Sequence, residues 1–101
     1  ALLEPSFPVI AVTQKDSVHV KMLSNLEEVK ARRAPLLVIA SEGDEDMARL
    51  ADDIIFIPRT LEMLSPMLTV IPLQMFAYFV AVERGLDPDK PRNLAKSVTV
   101  E

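Results

Sequence analysis

Three short runs of β-favouring residues, apolar without alternation, constrain this chain more than any other feature. They are Phe7-Pro8-Val9-Ile10-Ala11-Val12-Thr13, Pro35-Leu36-Leu37-Val38-Ile39-Ala40 and Asp53-Ile54-Ile55-Phe56-Ile57-Pro58. A strand with one wet face alternates apolar and polar residues, whereas a continuous apolar run reads as a strand covered on both faces. Strands are therefore expected near 8–13, 35–40 and 53–58. Segments of helical period separate them, and strands alternating with helices over short loops indicate a parallel sheet with helices on its faces. The expected class is α/β, in three layers. Three strands are few for an open parallel sheet, so one strand edge is expected to lie open in this chain.

The intervening helices carry their own signals. Asp16-Ser17 offers a cap, after which Val18, Met22, Leu23, Leu26 and Val29 fall on one side of a helix ending near Arg33. Glu27 and Glu28 fall opposite, as on a surface helix. Lys30, Arg32 and Arg33 sit in its last turn, where cations complement the helix dipole. Ser41-Glu42-Gly43-Asp44 is a polar turn, with Asp44 as cap of a short helix to about Leu50.

The last helix is the longest, at about 66–84. Ser65-Pro66 is a start signature and Gly85 a stop, while Pro72 inside it predicts a kink or a break. No residue between Glu62 and Glu83 is charged, so by length this stretch qualifies as a membrane span. Its prolines, Thr69 and Gln74, and the α/β pattern before it, favour burial between a sheet and a second surface. Phe76, Tyr78 and Phe79 would supply that contact, Tyr78 with its hydroxyl on a polar partner.

Composition excludes several functions. The chain has 101 residues and a formal charge of −4, enough for one small domain. Without a basic stripe it offers little to nucleic acid. Without cysteine it has no disulfide, thiolate metal site or cysteine nucleophile. Its single histidine, His19, makes no zinc site alone and has no acidic partner placed beside it by the pattern. Only two glycines, Gly43 and Gly85, rule out a dinucleotide fingerprint or a P-loop. The acidic run Glu42-Gly43-Asp44-Glu45-Asp46 lacks the calcium-loop pattern and reads as a solvated helix start. An apolar beginning without an initiator Met suggests a piece of a longer polypeptide.

The ending is unusual. Pro91-Arg92-Asn93-Leu94-Ala95-Lys96-Ser97-Val98-Thr99-Val100-Glu101 places one lysine among small and apolar residues. By composition Lys96 reads two ways. It is an exposed lysine on a fraying terminus, or an amine carried into a cleft, where lost solvation lowers its pKa and lets it attack a carbonyl.

This tail closely resembles the C-terminus of the isomerising glutamine–fructose-6-phosphate aminotransferases. So do Ser65-Pro66-Met67-Leu68-Thr69-Val70-Ile71-Pro72-Leu73-Gln74-Met75-Phe76-Ala77-Tyr78, like the family's Pro-Leu-Gln helix, and the linker Asp87-Pro88-Asp89-Lys90-Pro91-Arg92-Asn93. Asn25-Leu26-Glu27-Glu28-Val29-Lys30-Ala31-Arg32 fits as well. The resemblance implies a flavodoxin-like sugar-isomerase (SIS) subdomain, of which residues 1–86 are the C-terminal part and 87–101 the tail.

In complete members a glutaminase domain releases ammonia, a channel carries it to the isomerase domain, and fructose 6-phosphate becomes glucosamine 6-phosphate. The resemblance assigns Lys96 to ring opening and imine formation at the C2 ketone, and Ala95 and Lys96 to the sugar site. Leu94, Ala95 and Val98 are assigned to the closing tail and the channel border. It further implies a cytoplasmic enzyme without organic cofactor or metal, while the open strand edge points to a homo-oligomer such as a dimer, and charge and composition to neither nucleic acid nor membrane. The family's catalytic glutamate and histidine, its sugar-phosphate loop and its glutaminase cysteine have no counterpart here. This chain alone is therefore expected to be inactive. The alternative reading is a non-catalytic SIS-type sugar-phosphate binding or regulatory module.

Overall fold

In the computed structural model the described residues are 2–90 and 92. The expected tail residues Leu94, Ala95, Lys96 and Val98 lie outside them. The chain forms two compact units, Ala1–Val70 and Ile71–Glu101.

The first unit holds a parallel three-stranded sheet of β1 (Val9–Val12), β2 (Leu36–Ser41) and β3 (Asp53–Ile57), in the order β1-β2-β3. The strands begin and end close to their expected bounds. Val9 pairs with Leu36, and Val38 pairs with both Ala11 and Ile54. Helix α1 (His19–Ala31) links the first pair of strands and α2 (Glu45–Leu50) the second. β1 and β3 are both edge strands among the described residues, one more open edge than the pattern predicts.

Strand alternation divides the sheet into two apolar faces. Val9, Ala11, Leu36, Val38, Ala40 and Ile54 share one, and they pack with Leu26, Met22, Leu23 and Val29 of α1 and Met47 and Leu50 of α2. Both helices cover this face. The other carries Ile10, Val12, Leu37, Ile39, Ile55 and Ile57. Ile39 and Ile57 are buried near the carboxyl end, whereas Ile10 and Ile55 remain 38% and 36% exposed. The apolar run is real on both faces, but the helices cover only one, and on that face Phe56, in register with Ala40, stays 45% exposed.

Chain ends of the helices follow backbone chemistry. The Val18 N–H donates to Asp16 Oδ1 at 3.0 Å, so Asp16 forms a turn ahead of α1 and the cap position is Val18, without a side-chain bond. α1 stops at Ala31, short of the expected Arg33, because Arg33 adopts a left-handed backbone with φ of 59°. Arg32 bonds back to the Glu28 carbonyl. α2 begins as expected, Asp44 accepting from the Met47 N–H at 3.2 Å.

Helix α3 (Ser65–Glu83) follows a 3₁₀ turn at Glu62–Leu64. Ser65 does not cap it: its hydroxyl donates to the Glu62 carbonyl at 2.7 Å. The helix continues through Pro72 without a break. At its end Leu86 N–H bonds to Ala81 O at 2.8 Å and Gly85 N–H to Val82 O at 2.9 Å. This paired arrangement needs a left-handed residue after the helix, and Gly85 supplies it at φ of 70°.

Within this chain alone, the helix residues expected to pack on a second surface are exposed. Tyr78 is 52% exposed and meets Phe79 edge to face, ring centres 5.5 Å apart, instead of entering a core. Met75, Phe76, Phe79 and Val82 are exposed too, and the buried residues of α3 are Ser65 and Thr69. Glu62–Glu83 is long and apolar enough, by length and composition only, to cross a membrane.

Candidate functional site at the carboxyl ends of the strands

Parallel α/β sheets bind ligands in the crevice beyond the carboxyl ends of their strands. Here the loops after β1, β2 and β3 converge at that end. Gln14, Lys15, Asp16, Ser41, Arg59, Thr60 and Glu62 line a cleft of about 260 Å³. A second cleft of about 300 Å³ extends along Val12, Thr13, Met22, Ser65, Pro66 and Thr69. Arg59 shapes the rim: its Nε donates to the Glu42 carbonyl at 2.9 Å, while Glu42 N–H donates to Ile57 O at 2.9 Å. Gly43, at φ of 80°, lets the Arg59 guanidinium lie across the turn.

Behind this rim the fold brings His19 and Asp44 together. Asp44 is 1% exposed and His19 9%, and His19 Nδ1 stands 3.5 Å from Asp44 Oδ2. Nδ1 is 3.1 Å from the Gln14 carbonyl. A carbonyl only accepts, so Nδ1 carries the proton in that bond. Among the described residues, three buried side-chain atoms lack a hydrogen-bond partner: Thr13 Oγ1, His19 Nε2 and Asp44 Oδ2. Asp44 is thus not part of a solvated helix start, and His19 does have an acidic neighbour. Sequence reading missed the pair because the two residues are far apart in the chain. The one signal was that each follows a strand already read as parallel to the other.

At the opposite end of the sheet, Asp52 accepts from Lys30 Nζ at 2.5 Å and from the Leu36 N–H at 2.8 Å. The Lys30 hydrogen bond, then the Leu36 N–H, lower its carboxyl from the ordinary value of 3.8. Lying away from the loop cluster, this carboxylate ties α1, β2 and β3 together.

A parallel sheet with crossover helices on one face and ligand-sized clefts at its carboxyl end is the frame of an α/β ligand-binding domain, and the SIS domain family matches residues 1–84. The chain belongs to that family. Its relatives are more specific. It is 50% identical over 101 residues to a "Glutamine--fructose-6-phosphate aminotransferase [isomerizing]" of Chlorobaculum tepidum, covering 100% of this chain and 16% of that protein. It is 52% identical to the protein of the same name from Caldanaerobacter subterraneus subsp. tengcongensis and 48% to that of Aquifex aeolicus, covering 100% of this chain and 17% of each. The chain spans about one sixth of the length of these relatives.

Proposed function

We propose that this chain is the C-terminal part of the isomerase domain of a glutamine–fructose-6-phosphate aminotransferase, and that its tail brings Lys96 to a sugar-phosphate site completed by other segments of the protein. The observation carrying this reading is the extent of the similarity. The family match ends at residue 84, yet the aminotransferases align over all 101 residues, so the likeness continues through 87–101.

Chemically, the tail amine would open the sugar ring and add to the C2 ketone of fructose 6-phosphate. Loss of water would then leave an imine. The amine must be neutral to attack, which closure over the ligand promotes by desolvation. Leu94, Ala95 and Val98 would border the closed site and the ammonia path, excluding water from the imine. The rest of the protein would cover the exposed apolar residues of α3 and the open face around Ile10 and Ile55, within a cytoplasmic homo-oligomer.

The test is Lys96→Ala in the complete protein, read as glucosamine 6-phosphate formed from fructose 6-phosphate and glutamine. Loss of synthesis, with borohydride trapping of the sugar on Lys96 in the unaltered protein, is the expected result. Normal turnover in the variant would overturn the catalytic assignment and favour the non-catalytic binding module. The 101 residues alone are expected to form no glucosamine 6-phosphate.

A further inference from the structure

A buried carboxylate oxygen without a partner is costly, and the fold normally compensates it with a donor or a cation. Asp44 Oδ2 is such an atom. The 3.5 Å separation from His19 Nδ1 exceeds a normal N–H···O distance.

Each residue around this point is anchored by one atom and free at the other. Asp44 uses Oδ1 for the Met47 N–H and leaves Oδ2. His19 uses Nδ1 for the Gln14 carbonyl and leaves Nε2 buried without a partner. Asp46 uses Oδ1 for Arg49 and leaves its other oxygen. One ligand atom from each of His19, Asp44 and Asp46 lies within 4.8 Å of the other two. Anchoring the second atom of a ligand to the backbone or a side chain is how metal sites orient their donors.

We propose that His19, Asp44 and Asp46 form a binding site for one divalent first-row transition ion. An imidazole nitrogen with two carboxylates suits zinc, cobalt or manganese, and two carboxylates balance the ion's charge. Asp46, only partly buried, marks the entry side and leaves room for water ligands. The ion would clasp the start of α1 to the start of α2, across the ends of β1 and β2. Its role is structural and independent of the Lys96 chemistry: the sequence supplies a single histidine, and only the fold adds the carboxylates.

The experiment is calorimetric titration of the purified, chelator-treated protein with Zn²⁺, Co²⁺ and Mn²⁺, together with thermal unfolding and Co²⁺ absorption. Expected are one saturable site per chain lost in His19→Gln, a thermal midpoint raised by several degrees with saturating metal, and visible Co²⁺ bands lost in the same variant. Asp46→Asn, at a partly exposed position, should weaken binding at least tenfold with the fold intact by circular dichroism. Asp44→Asn keeps an acceptor for Met47 while removing the charge and should do the same. Absence of saturable binding at millimolar metal overturns the proposal, as does binding that survives both His19→Gln and Asp46→Asn.

Discussion

Lys30 Nζ donates to Asp52 Oδ1 at 2.5 Å, and this contact joins the last turn of α1 to the residue before β3. The same carboxylate receives the Leu36 N–H, so its charge is favoured in the folded state. A carboxyl whose folded pKa lies below its unfolded value contributes stability above the unfolded pKa, and that contribution is lost as pH falls through the folded pKa. Acid should therefore remove a stabilising contribution progressively below about pH 4. Asp52→Asn keeps an acceptor for Leu36 but not the charge. Denaturant unfolding from pH 2 to 6 should show a shallower acid loss in the variant, and salt should narrow the difference. Equal slopes would show that the ion pair contributes nothing.

Arg33 ends α1 with φ of 59°. A side chain in the left-handed region costs about 1–2 kcal/mol, partly offset by the greater unfolded-state freedom of glycine, about 0.5–1 kcal/mol. Arg33→Gly is expected to stabilise the protein by roughly 0.5–1 kcal/mol. A urea midpoint that stays in place or falls would mean the Arg33 side chain contributes contacts of equal worth.

Gly43 presents the opposite case. An added Cβ would meet backbone strain at φ of 80° and lie 2.8 Å from Arg59 Nη2. The guanidinium can swing aside, so the backbone cost remains, and with glycine's unfolded-state freedom set against it Gly43→Ala should lose roughly 0.5–1 kcal/mol. Arg59→Ala added to Gly43→Ala should leave most of that loss in place; full recovery would identify the clash, not the backbone, as the cause.

Asp44 caps α2 through Met47. Asp44→Ala should cost about 0.5–2 kcal/mol, while Asp44→Asn retains the acceptor and should cost less. Thermal unfolding of the two variants compares them directly, and equal destabilisation would assign the effect to the buried charge.

Much of the frame was legible because local chemistry decides it. The apolar runs mark three strands whose observed bounds lie close to expectation, and Asp44 and Gly85 act at the helix ends where their types belong. Ser65 was misread because a serine before a proline serves equally as a cap or as a donor to the preceding turn, and here the 3₁₀ turn takes its hydroxyl. Tyr78 was misread because an apolar helix face signals that cover is needed, not that this stretch of chain provides it.

By itself the sequence determined the α/β class, the parallel sheet and the family resemblance, since periodicity, caps and distinctive local motifs are all written in neighbouring residues. Tertiary structure alone decided that His19 meets Asp44. Two crossovers of the same hand place the loops after β1 and β2 side by side at one end of the sheet. A contact made by that geometry leaves no periodic trace in the chain.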